Sequence, residues 1–255
     1  MRPRPTVHRT APGIEYSPRL PVVQAYLLGT LDHNTVQSLQ HRLAYDVAGD
    51  PSGAAVILCD HPSAITIGRE GSWAHVRVSP EQLHARRLPV RWVARGGGAV
   101  LHAPGQVACY PILPLDRMGL TPAEYLAGLC GVVGDLLAGF GVSADVGLGP
   151  TTVRVAGRRI AHFGVAVRNW VASYGFVLNV NPDLELFRVI DSDGDPVPVT
   201  SLQRECPTRV RVPTVRQRLL DLLALRFGFG RVSVFHSHPT FLPRTPLHAF
   251  PARNR

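Results

Sequence analysis

Residues 95–106 read Arg95-Gly96-Gly97-Gly98-Ala99-Val100-Leu101-His102-Ala103-Pro104-Gly105-Gln106. Three successive glycines let a ligand press against bare backbone, and their N–H groups can face a carbonyl or phosphate oxygen. His102 and Gln106 would add side-chain donors or acceptors. The same glycines also suit a tight loop with purely geometric demands, and the pattern is not the GxGxxG-then-helix of a dinucleotide site. Four cysteines (Cys59, Cys109, Cys130 and Cys206) lie far apart with no CxxC pair. That spacing argues against a disulfide framework or a zinc ribbon and makes a reduced, cytoplasmic compartment the default. Free cysteines usually pack as small apolar residues, and Cys109 is assigned to the core on that basis. His236 and His238 are spaced for a metal on a strand but lack further ligands, so no metal or other cofactor is expected.

The cationic side chains restrict the chemistry further. All 27 Lys+Arg residues are arginine. Schiff-base formation, a P-loop lysine and an ammonium beside a nucleophile are therefore excluded. A formal net charge of +9 points to acidic partners. No run of interleaved basic and aromatic residues supports a nucleic-acid surface. No stretch approaches the roughly 18 apolar residues of a membrane span, and the basic, proline-broken start does not resemble a secretory signal.

The elements that must hold these residues follow from periodicity. Residues 1–19 form a loose leader with four prolines. A strand is predicted at Val22–Leu28, and a helix from Asp32 to Val47 with Val36, Leu39, Leu43 and Tyr45 on its apolar side. Strands follow at Ala54–Cys59, Ala64–Ile67, Val90–Ala94 and Val107–Leu115. Ser79-Pro80-Glu81-Gln82 and Thr121-Pro122-Ala123-Glu124 are capping boxes that open helices, the second closed by Gly141. Thr152 to Val180 reads as a three-stranded meander with turns at Ala156-Gly157-Arg158 and near Asn169. Val215 to Phe227 reads as a last amphipathic helix. These elements give one α+β domain over residues 20–235, followed by an irregular tail over 236–255.

In order along the chain, several motifs resemble those of the lipoyl/octanoyl transferase family. His61-Pro62 with Thr66-Ile67-Gly68-Arg69 resembles its HP and T-x-G-R elements. Arg95 to Gln106 resembles R-G-G-x-x-T-Y-H-G-P-G-Q, with Val100, Leu101 and Ala103 departing from it. Gly157 to Gly164 resembles G-x-K-I-A-x-x-G. Tyr174 to Val180 resembles H-G-x-A-L-N-V with Tyr174 in place of histidine, and Val199-Thr200-Ser201-Leu202 matches V-T-S-L.

The resemblance implies an α+β fold like that of lipoate and biotin protein ligases: a mixed β-sheet flanked by helices, with a small C-terminal sub-sheet. It implies transfer or binding of an octanoyl or lipoyl group, delivered by acyl carrier protein for attachment to a lysine of lipoyl-domain proteins. The implied substrate-binding residues are Arg95, Gly96, Gly97, Gly98, Ala99, Val100, Leu101, His102, His162, Phe163, Gly164, Gly175, Phe176 and Val177.

Two departures bear on mechanism. The family's nucleophilic cysteine corresponds to Asp193, and the lysine of its G-x-K-I-A element to Arg159. Arginine keeps the charge but cannot give up a proton near neutral pH. A carboxylate attacking a thioester would form a mixed anhydride, which lies uphill. Losing a nucleophile typically costs about 10⁶-fold, whereas oxyanion contacts and binding alone retain about 10³–10⁴ over water. Two readings stay open: an octanoyltransferase working by a modified route, with Asp193 as general base, or a non-catalytic acyl-binding homologue. An Asp193–Arg159 ion pair is the bland alternative for these two residues. His162 would narrow or polarise the pocket or pack as an ordinary histidine, and Cys206 is a remote candidate for a substitute thiol.

Overall fold

A computed structural model of the protein describes residues 20–50, 52–147, 152–191 and 198–241. The leader at 1–19, Asp193, and the tail beyond residue 241 lie outside the described residues. Strands and helices alternate as β1 (Leu20–Thr30), α1 (His33–Gly49), β2 (Ala55–Asp60), β3 (Ala64–Ile67), α2 (Pro80–Ala85), β4 (Val90–Trp92), β5 (Ala99–His102) and β6 (Gln106–Ile112). They continue with α3 (Pro122–Ala138), β7 (Asp145–Val146), β8 (Thr152–Val155), β9 (Arg158–Arg168), β10 (Val171–Asn179), α4 (Leu202–Glu205), α5 (Val212–Phe227) and β11 (Phe229–Phe235).

The larger sheet runs β11-β1-β2-β6-β10-β9-β8-β7 among the described residues. β1 is parallel to both β11 and β2, and the remaining pairs are antiparallel, so the sheet is mixed. Both faces are covered, which is why the central strands read as nearly continuous apolar runs. In β2, Val56 and Leu58 join the core under α3 and α5, while Ala55, Ile57 and Cys59 join the core under α1.

A smaller sheet, β4-β3-β5, is built from residues 64–102. Its place differs from the expected C-terminal one. Ala99–His102 folds back antiparallel on β3, with Thr66 opposite Val100, and buries Ile65, Ile67, Ala99 and Leu101 together. The C-terminal segment instead extends the edge of the larger sheet as β11.

Local signals explain the helix ends. The Asp32 carboxylate accepts from the Asn34 and Thr35 N–H groups and starts α1. Val36, Leu39, Leu43 and Val47 then face the sheet, while Tyr45, two residues beyond Leu43, falls on the solvent face at 81% exposure. Both expected capping boxes are present. Past α3, Gly141 adopts φ +75°, and the Val142 N–H returns to the Leu137 carbonyl at 2.9 Å. No helix among the described residues is long and apolar enough to cross a membrane.

Candidate active site

Between α1 and the junction of the two sheets lies a narrow slot, partly open to solvent. Its walls come from α1 (His33, Gln37, Gln40), β3 (Thr66), Arg95, β5 (Val100, His102), β6 (Tyr110), β9 (His162, Gly164) and β10 (Tyr174–Val177). A second, smaller cavity shares Val100, His162 and Val177 as walls and is also lined by Arg159, Phe187 and Val199.

Arg95 organises the glycine segment. Its guanidinium is buried and donates to the Thr66 carbonyl (3.1 Å), Thr66 Oγ1 (2.9 Å), the Gly98 carbonyl (3.1 Å) and the Gly96 carbonyl (2.9 Å). A fork of five donors suits this task; a single ammonium would not reach all four acceptors. The neighbouring strand must come close to allow it. A Cβ on Gly164 would sit 2.7 Å from Arg95 Cδ and from the Gly96 carbonyl oxygen.

The glycines themselves face mostly inward. The Gly96 N–H donates to the Val165 carbonyl at 2.9 Å, and the carbonyls of Arg95, Gly97 and Gly98 accept from the N–H groups of Arg69, Glu70 and Gly68. The expectation that these amides form a row of ligand donors therefore fails for Gly96, whose N–H is held by β9. Gly96, Gly97, Gly98 and Ala99 are not among the wall residues of either cavity, and neither is Phe163, whose ring packs 5.4 Å from Phe176. Arg95, Val100, His102, His162, Gly164, Gly175, Phe176 and Val177 do line the slot, and Leu101 lines the second cavity.

Gln106, read as a possible ligand contact, is a structural hinge-pin. Its side chain accepts from the Ala103 N–H (2.8 Å) and donates to the Leu101 carbonyl (3.2 Å) and Asn179 Oδ1 (2.8 Å). Asn179 Nδ2 donates onward to the Thr200 carbonyl at 3.0 Å. The Thr200 N–H donates to the Arg159 carbonyl at 2.9 Å. Four separated sequence motifs are thus joined by one chain of hydrogen bonds that ends at Arg159.

Burial, then the charges of Arg95 and Arg159, holds His162 well below the ordinary imidazole value, so its ring is neutral at pH 7. His102 is likewise held well below it by burial and by neighbouring histidines. No cysteine lines either cavity. All four thiols are buried, and Cys206 Sγ lies 3.6 Å from the Phe140 carbonyl, among the core residues under α3 and α5. His238, read as part of an irregular tail, is buried with its ring edge-on to Tyr26 at 5.0 Å.

Sequence reasoning missed the contribution of α1. His33, Gln37 and Gln40 carry no motif. Gln40 matters because Tyr174 has φ +57°, and its N–H donates to Gln40 Oε1 at 2.7 Å. An unexpected positive φ at a non-glycine residue needs such a partner.

Residues 32–224 match the model of the lipoyl protein ligase A/B catalytic domain. The chain belongs to this family. It is 39% identical over 178 residues to an octanoyltransferase of Syntrophobacter fumaroxidans, covering 69% of this chain and 78% of the relative. It is 34% identical over 212 residues to an octanoyltransferase of Chloroflexus aggregans, covering 82% of this chain and 96% of the relative. Among solved structures, it is similar to the bi-partite lipoate protein ligase of Thermoplasma acidophilum, studied with its E2 lipoyl domain (TM-score 0.63, 17% identity, 84% and 87% of the two chains). A second similar structure is P. falciparum LipL1 in complex with lipoate (TM-score 0.67, 12% identity, 85% and 66%). At those identities the structural likeness establishes the lipoyl protein ligase fold.

Proposed function

We propose that this family member transfers an octanoyl or lipoyl group to a lysine of a lipoyl domain, taking it as a thioester from acyl carrier protein. The observation that carries the reading is the hydrogen-bond chain from Gln106 through Asn179 and Thr200 to Arg159. It ties Arg159, read as the counterpart of the family's lysine, to the wall of the second cavity, which shares Val100, His162 and Val177 with the slot. Relatives named octanoyltransferase support transfer over passive acyl binding.

No cysteine stands at the slot, so the proposed route is direct. The acceptor lysine amine attacks the thioester carbonyl, a C–N bond forms, the C–S bond breaks, and the carrier thiol leaves with a proton. Asp193, at the family's nucleophile position, would take the proton from the amine. The neutral ring of His162, held well below the ordinary imidazole value, is a weak base and would serve as a wall of the slot rather than as the proton acceptor. The cationic side chain of Arg159 would stabilise charge building on the carbonyl oxygen without exchanging a proton. The acyl tail would lie along the apolar walls Val36, Val93, Val100 and Val177, and a +9 chain suits acidic carrier and acceptor proteins.

Complementation tests the reading. Expression of the unmodified chain in a strain lacking its own octanoyltransferase should restore growth without added lipoate. Failure to restore it, with the chain soluble and the strain's lipoyl domains unmodified, would contradict transfer.

A further inference from the structure

Three histidines far apart in sequence converge at the wall of the slot: His33 on the first turn of α1, His61 between β2 and β3, and His102 at the end of β5. One ring nitrogen of each lies within 4.8 Å of the other two. From this juxtaposition we propose that His33, His61 and His102 form a site for one divalent transition-metal ion, of which zinc is the first candidate.

The outer nitrogens of two rings are already anchored. His61 Nδ1 lies 2.7 Å from the Leu31 carbonyl oxygen, which only an N–H can approach, so in the neutral ring Nε2 keeps its lone pair. His102 Nε2 lies 2.9 Å from Thr66 Oγ1. Ligating histidines characteristically tie their far nitrogen to a protein oxygen in this way. Of the atoms left for the ion, His61 Nε2 already accepts from the Tyr110 hydroxyl at 2.8 Å, a bond the ion would replace, and those of the other two rings are unsatisfied. His33 Nε2 and His102 Nδ1 are buried and have no hydrogen-bond partner among the described residues. Leaving such groups unpaired is costly, and a cation would engage both at once. His102 is 3% exposed, so bulk water does not supply the missing partner.

Donor chemistry narrows the ion. Three imidazoles with no carboxylate in the cluster suit zinc and its first-row neighbours, not magnesium or calcium. Cys59 Sγ lies 3.9 Å from His61 Nε2, but burial pushes its thiol far up, away from thiolate. Burial also lowers all three imidazole values, His33 to about 3, so none has to release a proton to bind at pH 7.

One movement is required. The His33 and His61 rings stack with centroids 3.8 Å apart and 22° between planes, and near-parallel rings cannot aim two lone pairs at one point. Tetrahedral binding at roughly 2.0–2.1 Å needs ligand atoms about 3.3 Å apart. His33, the partly exposed member of the three, turns about its side-chain torsions to achieve this. His33 and His102 also line the slot, so the ion's remaining position is left to water or to an oxygen of a bound ligand.

The test uses the untagged full chain, stripped with EDTA, titrated with zinc chloride, and read by metal analysis after desalting and by calorimetry. The proposal predicts one zinc per chain, affinity lowered at least about tenfold in His33→Ala, and no change in His84→Ala on the exposed face of α2. Zinc should raise the melting temperature of the unmodified chain and not of His33→Ala, and cobalt should give the visible spectrum of a tetrahedral nitrogen site. Zinc bound no better by the unmodified chain than by a well-folded His33→Ala variant would overturn it. Binding is read without any acyl substrate, so its failure leaves the proposed transfer untouched.

Discussion

Arg159 and Val199 form a parallel backbone bridge: the Arg159 N–H donates to the Pro198 carbonyl at 2.8 Å, and its carbonyl accepts from the Thr200 N–H at 2.9 Å. The Arg159 backbone is therefore held between Pro198 and Thr200. At the other end of that segment, the Asp191 N–H donates to the His75 carbonyl at 2.8 Å, and the Asp191 carboxylate pairs with Arg77 at 2.5 Å. Asp191 and Pro198 are thus each hydrogen-bonded to the body of the fold.

If the pocket diverged only in its reactive pair, the double variant Asp193→Cys with Arg159→Lys gains a thiolate and an ammonium. Incubation with an octanoyl thioester should then leave one octanoyl adduct per chain, removed by hydroxylamine and absent from the unmodified protein. A well-folded double variant without an adduct would show that the walls have changed as well.

Thiol reagents should leave the unmodified chain active. Cys59, Cys109, Cys130 and Cys206 are all buried, and burial raises each thiol, Cys130 to about 11. Iodoacetamide under native conditions should add no label, by mass spectrometry, in the time that labels an exposed cysteine peptide, and transfer should be unchanged. Inhibition in step with labelling of one cysteine would assign that thiol a role.

Gly175→Ala should be disruptive. The added Cβ would lie 2.3 Å from the Cys109 carbonyl oxygen and 2.9 Å from Pro111 Cδ, so β10 and β6 would have to separate. Overpacking of this kind costs about 1–3 kcal/mol or more, to be read from denaturant midpoints. Gly29→Ala, with nothing within 4 Å of its new Cβ, is the control and should stay within about 0.5 kcal/mol.

The strand and helix order was legible because each element carries its own signal: the capping boxes at Ser79 and Thr121, the meander turns at Gly157 and Asn169, and the double-sided apolar run of β2. Less visible were features set by long-range pairing. Residues 99–102 read as part of a glycine loop, and only their register with β3 makes them a strand. Motif resemblance found Arg95, His102, His162, Gly164 and Gly175, which line the slot. It missed His33, Gln37 and Gln40, because a helix face that closes a cavity leaves the same periodicity as one that packs on a sheet.

Arg95→Lys should loosen the glycine segment. One ammonium would replace contacts to Thr66, Gly96 and Gly98, and lost hydrogen bonds to a buried charge cost about 1.5–3 kcal/mol. Chemical denaturation should show this loss, with weakened acyl binding. Unchanged stability would remove Arg95 from its organising role.

Stability should fall on the acid side of neutrality. His33, His61, His102 and His162 all have imidazole values below the unfolded one, chiefly through burial. Between about pH 6.5 and the lowered folded values, the unfolded chain binds more protons than the folded one, so unfolding free energy drops as pH falls. Each excluded proton contributes up to about 1.4 kcal/mol per pH unit. With EDTA present, denaturant midpoints should be flat above about pH 7.5 and decline below about 6.5, less steeply in His33→Gln. A flat profile down to pH 5 would contradict neutral burial.

The most direct test incubates the unmodified chain with octanoyl-loaded acyl carrier protein and an apo lipoyl domain, followed by intact-mass spectrometry of the domain. The account predicts one octanoyl group on the domain's lysine, formed only when the chain is present, and reduced in Asp193→Asn. A domain that stays unmodified while the chain holds the octanoyl thioester in its slot would contradict transfer.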